Sequence, residues 1–138
     1  MISKKCDYAL RAMLELAIHE GKGPVTIGHI AKARNIPVRF LEAIMRQLKQ
    51  ANLADSARGK EGGYFLTKPA HGLSVGLVID LFEGRIGHKV RASSHDIFNE
   101  LWQEADAAIQ SVYRRTSFAD LAEKELHRHH ADAANYSI

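Results

Sequence analysis

Residues 26–50 read TIGHIAKARNIPVRFLEAIMRQLKQ, and this stretch decides which fold the chain can adopt. Thr26 can cap a short helix, because its hydroxyl can accept a hydrogen bond from the backbone of the first turn. Pro37 disfavours helix in the residue before it but suits the first turn of a new helix. The segment therefore predicts two helices joined by a tight corner, the second running from about Val38 to Ala51.

The second of these helices has an apolar face and a charged face. Apolar residues recur at spacings of three and four: Val38, Leu41, Ile44, Met45 and Leu48. The opposite face carries three cations and one carboxylate: Arg39, Glu42, Arg46 and Lys49. The major groove of DNA admits such a helix, where Arg can read guanine and Glu can accept from cytosine. A solvated helix face has the same pattern, so the flanking segments must decide between the two interpretations.

A glycine-rich turn follows the charged helix. Leu53–Arg58 and Tyr64–Thr67 are predicted strands around residues 59–63, Gly-Lys-Glu-Gly-Gly, which supply the backbone freedom that a hairpin tip needs. Arg58 and Lys60 place cations at this tip, where they can enter a narrow minor groove. A phosphate-binding loop would need a helix after the glycines, whereas a strand follows here. The combination predicts a winged helix-turn-helix, mainly α with a small β-hairpin wing.

The rest of the chain adds helices on both sides. Ser3 can cap a first helix that runs to about His19, and Ser74 can cap a helix that stops at Gly84. After a polar loop, an apolar repeat predicts a long helix from Ile97, and Ser117-x-x-Asp120 predicts the start of a short last helix. The long helix is expected to form a dimer interface through Phe98, Leu101, Trp102, Ala105, Ile109 and Val112.

Four regions are predicted from this organisation. Residues 1–83 form the DNA-binding domain, 84–96 a loop, 97–130 the dimerisation helix with the short C-terminal helix, and 131–138 a flexible tail.

Composition indicates a folded protein with an uneven charge distribution. With 46% hydrophobic and 25% charged residues, the 138-residue chain can bury a core. No apolar run has the length of a membrane span or a signal peptide, and a single cysteine excludes an intramolecular disulfide, so a cytoplasmic location is expected. Residues 1–68 carry 12 Lys and Arg against 6 Asp and Glu, while residues 69–138 carry 7 against 10. The basic first half predicts a polyanionic partner such as DNA.

Several motifs, in order along nearly the whole chain, resemble the IscR/NsrR/CymR family of bacterial winged helix-turn-helix regulators. The motifs are SKKCDYAL at 3–10, GPV at 23–25, IPVRFLE at 36–42, RGKEGGY at 58–64, VIDLFEG at 78–84, LW at 101–102 and TSFADL at 116–121. The resemblance implies a homodimeric repressor that binds a palindromic DNA operator through the charged helix and the wing, and no enzyme activity.

The resemblance also assigns DNA contacts by position. Base readers are Pro37, Val38, Arg39, Phe40 and Glu42; minor-groove residues are Arg58 and Gly59; residues near phosphates are Lys4, Lys5 and Tyr8. The predicted contacts further include Thr26, Arg46 and Lys60. Pro37 and Arg39 stand where many members have small hydroxyl residues, so an unusual operator is expected. Cys6 and Asp7 stand where glycine and arginine are usual, which weakens the phosphate contact expected there.

Residues 84–100 contain no cysteine, whereas cluster-binding members of the family carry three there. Since iron–sulfur clusters need thiolate ligands, no cluster is expected. No other metal or cofactor is expected either. The chain thus looks most like the cluster-free branch that represses cysteine metabolism. Relatives in that branch are regulated by O-acetylserine thiol-lyase, whose other partners insert a C-terminal isoleucine. Tyr136, Ser137 and Ile138 are accordingly expected to bind that enzyme, a frayed terminus being the alternative.

Two other interpretations remain open from the sequence. One is a redox or metal sensor of the same fold, using Cys6 or the histidines of residues 127–130, His-Arg-His-His. The other is a winged-helix module that binds only proteins, which the cations on both helix and wing disfavour.

Overall fold

The computed structural model describes residues 2–84 and 96–136. Most of the predicted loop 84–96 lies outside the described residues, as do Ser137 and Ile138.

The described residues form six helices, a two-stranded hairpin and a short 3-10 turn at Ala70–Gly72. The elements are α1 (Lys4–Ile18), α2 (Ile27–Arg34), α3 (Val38–Gln50), β1 (Ala54–Ala57), β2 (Gly63–Leu66), α4 (Val75–Glu83), α5 (Ile97–Arg115) and α6 (Phe118–Tyr136). This order confirms the predicted winged helix-turn-helix fold, mainly α with one hairpin.

Local capping sets where four of the helices begin. The capping residues are those expected: Ser3 for α1, Thr26 for α2, Ser74 for α4 and Ser117 for α6. Each hydroxyl accepts a hydrogen bond from the backbone N–H three residues later. At α6 the box is reciprocal, because the Ser117 N–H also donates to the Asp120 carboxylate at 3.1 Å.

The core lies where α1 crosses the other helices. α1 packs against α2, α3, α4 and α6. Its Ala12 and Met13 are fully buried, and so is Leu41 of α3. Phe118, the first residue of α6, is also fully buried in this cluster. The C-terminal helix is therefore anchored on the helix-turn-helix itself.

The last helix is longer than expected. The sequence predicted a short helix and a flexible tail from residue 131, but α6 has 19 residues and ends at Tyr136. Residues 131–134, Ala-Asp-Ala-Ala, include three strong helix formers and no Gly or Pro, so the helix continues although these side chains are exposed. The prediction relied on apolar packing to define the helix end, whereas good helix formers can extend an existing helix beyond its packed part.

No helix within residues 2–84 and 96–136 is both long and apolar enough to cross a membrane.

Candidate nucleic-acid interface

One face of α3 is in the core and the other is open to solvent. Leu41, Ile44, Met45 and Leu48 are at most 1% exposed, whereas Arg39, Glu42 and Arg46 are all exposed. The separation follows from the 3.6-residue period of the helix.

The start of α3 is more exposed than the apolar pattern indicated. The apolar repeat placed Val38 on the buried face, whereas the family resemblance placed Val38 and Phe40 among the base readers. Val38 is 45% exposed and Phe40 is 47% exposed. Ile36, only 4% exposed, fills the core at the corner, so the first residue of α3 is left on the surface. Two apolar side chains thus stand beside Arg39, whose guanidinium lies 4.8 Å from the Phe40 ring centroid. Apolar side chains of this kind can contact thymine methyl groups while Arg reads guanine.

Lys49 belongs to a different contact. Its Nζ donates to Ser56 Oγ at 2.7 Å and lies 3.8 Å from an Asp55 carboxylate oxygen. Lys49 therefore links the end of α3 to the wing and is set apart from the exposed cations Arg39 and Arg46.

The wing is an antiparallel hairpin whose tip carries the predicted minor-groove residues. The pairing runs from Ala54 opposite Leu66 to Ala57 opposite Gly63. Arg58, Gly59 and Lys60 follow β1, and all three are exposed. Gly59 has φ 106°, a left-handed conformation that favours glycine.

The base of the wing is attached to the segment before α2. The Val25 N–H donates to the Tyr64 carbonyl at 2.8 Å, and the Tyr64 N–H donates back at 2.7 Å. Gly63 has φ 149°, and a Cβ there would collide with the Val25 backbone. This contact holds the wing beside the helix-turn-helix.

The N-terminal residues expected near phosphates lie beside α3. Lys4, Lys5 and Tyr8 line a cavity of about 430 Å³ together with Phe40 and Ile44. The Lys4 ammonium lies 5.0 Å from the Tyr8 ring centroid. The fold thus brings the α1 lysines beside Phe40 of α3, although they are more than 30 residues apart in the sequence.

Thr26 and Lys5 each also make a contact within the fold. The Thr26 hydroxyl accepts from the His29 N–H at 3.1 Å, yet the residue is exposed at the positive end of α2. The Lys5 ammonium lies 5.9 Å from the Phe82 ring centroid, which places it beside α4.

The two groups considered for a sensor, Cys6 and the histidines of 127–130, differ in accessibility. Cys6 is completely buried, and burial, followed by the nearby carboxylates of Glu83 and Asp7, raises the pKa of its thiol to about 11. A thiol held protonated in this way is a poor nucleophile and a poor metal ligand. The histidines of 127–130 are exposed on α6, where His127 lies 3.9 Å from Glu123.

The long helix α5 exposes its apolar residues. None of its 19 residues, all of them described, is buried. The predicted dimer residues Phe98, Leu101, Trp102, Ile109 and Val112 are 38–57% exposed, and Ala105 is half-buried. The Phe98 and Trp102 rings stack with centroids 6.2 Å apart. An exposed apolar face of this length is typical of a protein–protein interface.

The chain is similar to known transcriptional regulators in both sequence and structure. A family model described as "Rrf2: Iron-dependent Transcriptional regulator" matches residues 2–124. The HTH-type transcriptional regulator CymR of Bacillus subtilis is 34% identical over 122 residues, which are 88% of each chain. The solved structure of that protein, described as the global cysteine regulator of B. subtilis, has a TM-score of 0.84 and covers 90% of this chain and 97% of its own. The structure of T. potens IscR has a TM-score of 0.78 at 29% identity, covering 91% of this chain and 88% of its own.

Proposed function

Because this chain belongs to the Rrf2 family of DNA-binding transcriptional regulators, we propose that it is a repressor that binds a palindromic operator as a homodimer. The family assignment makes it a transcription regulator and not an enzyme. The observation that carries the proposal is the exposed charged face of α3 beside an exposed, cationic wing tip.

The proposed DNA contacts use three surfaces of the first 83 residues. The start and outer face of α3 enter the major groove and read bases: Pro37, Val38, Arg39, Phe40, Glu42 and Arg46. The wing tip, Arg58, Gly59 and Lys60, lies along the adjacent minor groove. Thr26 and the α1 residues Lys4, Lys5 and Tyr8 approach phosphates. The exposure of every one of these residues except Tyr8, which is half-buried, supports the assignment.

The proposed dimer forms through α5. Residues 97–130 would then serve dimerisation, and a second copy would cover the apolar face that includes Phe98, Leu101 and Trp102. Two recognition helices related by a two-fold axis match an operator with inverted half-sites.

The test is selection of binding sites from random duplex DNA, followed by footprinting on a selected site. We expect an inverted repeat whose half-site centres are about 34 Å apart or a multiple of that distance. Recovery of single, unpaired half-sites would contradict the dimer, and protection confined to one groove would contradict the joint use of helix and wing.

The family description mentions iron, and the residues of this chain do not fit an iron–sulfur cluster. Its single cysteine, Cys6, is buried with a raised thiol pKa, so the thiolate ligands that such a cluster needs are missing. The proposed function therefore requires no iron–sulfur cluster.

We further propose that the regulated genes serve cysteine or sulfur metabolism, in the cytoplasm where the chromosome lies. Support comes from the similarity to CymR, whose structure is described as that of a global cysteine regulator. The proposed signalling partner is O-acetylserine thiol-lyase, bound through Tyr136, Ser137 and Ile138. An amino-acid site already holds donors for a carboxylate, so an isoleucine that bears a free carboxylate can imitate a substrate.

Calorimetry with the enzyme from the same organism tests this partner. We expect the full-length chain to bind, a chain lacking Ile138 to lose binding, and substrate to compete. Equal binding by both chains, or no binding by the full-length chain, would exclude the tail mechanism and leave the DNA-binding function intact.

A further inference from the structure

Three side chains of metal-ligand type meet where α1 crosses α2. Glu15 Oε2 lies 3.3 Å from His19 Nδ1 and 3.0 Å from His29 Nε2. The three ligand atoms are all within 4.8 Å of one another, and the two imidazole rings stand edge to face with centroids 5.0 Å apart. Glu15 and His19 are one helical turn apart, but His29 comes from the next helix, so only the tertiary structure assembles the group.

The separations suit a single ion. With metal–nitrogen and metal–oxygen distances of about 2.0–2.1 Å, neighbouring ligands of a tetrahedral ion are ~3.3 Å apart. The observed 3.0 and 3.3 Å are therefore close to the edges of such a coordination shell. Two imidazoles and one carboxylate favour zinc and similar divalent transition metals over Mg²⁺ or Ca²⁺, which prefer oxygen ligands.

A hydrogen bond holds the Glu15 carboxylate in position at the oxygen that does not face the histidines. Glu15 is the one charged side chain that is buried among residues 2–84 and 96–134, and it is 4% exposed. The Arg34 Nε donates to Glu15 Oε1 at 2.8 Å, which leaves Oε2 facing both histidines. Arg34 is itself 3.6 Å from Glu125 of α6. Hydrogen bonds of this kind to a ligating carboxylate orient it toward a metal.

The histidine side of the Glu15, His19 and His29 group is accessible to solvent. The His19 and His29 side chains are 30% and 50% exposed. A cavity of about 290 Å³ adjoins His19 and reaches the wing at Tyr64. An ion can enter from this side, and water can complete its coordination.

We propose that Glu15, His19 and His29 form a binding site for a divalent transition-metal ion with the preferences of zinc. The ion displaces the contact that His19 Nδ1 makes with the Glu15 carbonyl oxygen at 3.0 Å, and both imidazoles bind it in their neutral form. Since the site joins α1 to α2, the bound ion fixes the first helix of the helix-turn-helix on the core. This site departs from the expectation that the chain needs no metal, and it is separate from the cysteine loop of cluster-binding relatives.

Titration of the full-length, metal-free chain with Zn²⁺ by calorimetry, and with Co²⁺ by visible absorption, tests the site. We expect one equivalent to bind and the melting temperature to rise with Zn²⁺, because an ion that binds the folded state stabilises it. The double variant His19→Gln/His29→Gln should lose affinity on the order of 100-fold or more, together with the Co²⁺ band. The matched control, His127→Gln/His130→Gln, also removes two histidines and should bind as the unmodified chain does.

Three results would overturn the proposal: no binding to the unmodified chain, unchanged binding to the α1–α2 variant, or loss of binding in the α6 control. Should the double variant fail to fold, His29→Gln alone provides the same readout. Its side chain is half exposed, and its loss leaves the ion pair between Glu15 and Arg34 in place.

Discussion

Arg39 and Arg58 are both exposed arginines on the proposed DNA surface, but they stand on different elements. Arg39 is in the first turn of α3, beside exposed Phe40, and Arg58 follows β1 at the wing tip. A side chain in the major groove reads the donor and acceptor pattern of a base pair, whereas one in the minor groove senses groove width. The two residues should therefore contribute to specificity in different ways.

Replacing each arginine tests this difference. Arg39→Ala should cost about 1–3 kcal/mol of binding free energy and relax the preference at one operator position. Arg58→Ala should weaken binding most where the site has an A-tract. Site selection with both variants provides the measurement, and Arg128→Ala on exposed α6 is the control. Preferences identical to those of the unmodified chain would refute the assignment.

Cys6 provides a prediction about stability and pH. Its thiol pKa is raised from 9.0 to about 11 in the folded chain, so the unfolded chain releases this proton first as the pH rises. The stabilisation from Cys6 is therefore fully present below pH 9 and is lost between pH 9 and pH 11. Over that interval, the free energy of unfolding should fall on the order of 2 kcal/mol more than in Cys6→Ala. Urea unfolding of both proteins at the two pH values measures it, and parallel curves would contradict the shift.

The helix α5 has an apolar face that contacts within one chain do not bury. It contributes no buried residue, although its apolar side chains repeat at spacings of three and four. A helix of this kind gains most of its stability from packing its apolar face. Within one chain, α5 has only part of that packing, through contacts with α4.

Charge placed on this face should break the proposed dimer. Leu101→Glu with Ile109→Glu is expected to give monomers in sedimentation velocity, since two carboxylates would have to be buried. Operator binding should weaken, because two half-sites would then bind independently. Gln103→Glu, which adds a carboxylate at an exposed polar position of α5, should remain dimeric. A dimer that persists in the double variant would place the interface elsewhere.

Across the whole molecule, positive charge is concentrated in the first 68 residues, which also carry every proposed DNA contact. Binding that neutralises phosphates releases counterions and therefore weakens as salt increases. The acidic second half carries the proposed dimerisation helix and α6.

Operator affinity should accordingly depend strongly on salt. If the dimer neutralises on the order of 6–10 phosphates, affinity should fall ~10³–10⁵-fold between 50 and 200 mM salt. Lys4→Ala should lower the logarithmic salt slope by about 1 for each half-site, because one phosphate there is no longer neutralised. Lys124→Ala, an exposed lysine on α6, should leave the slope unchanged. Fluorescence anisotropy across a salt series measures both, and an affinity that hardly changes would exclude the phosphate contacts.

The sequence by itself determined the elements that depend on near neighbours. The caps at Thr26 and Ser117, the two faces of α3 and the glycine-tipped wing were all predicted, because each depends on residues within about one helical turn or one hairpin. The proposed recognition residues followed from the same local patterns and from the family resemblance.

Only the tertiary structure decided which side chains long-range packing buries or brings together. It left Val38 exposed although the helical repeat placed it on the buried face, and it brought His29 and Arg34 of α2 onto Glu15 of α1. Glu15 and His19 share a helix face in the sequence, but nothing local shows that Glu15 is buried or which residues of α2 reach it. Burial and contacts between helices depend on how the helices cross, and the crossing is set by the whole core rather than by any one segment.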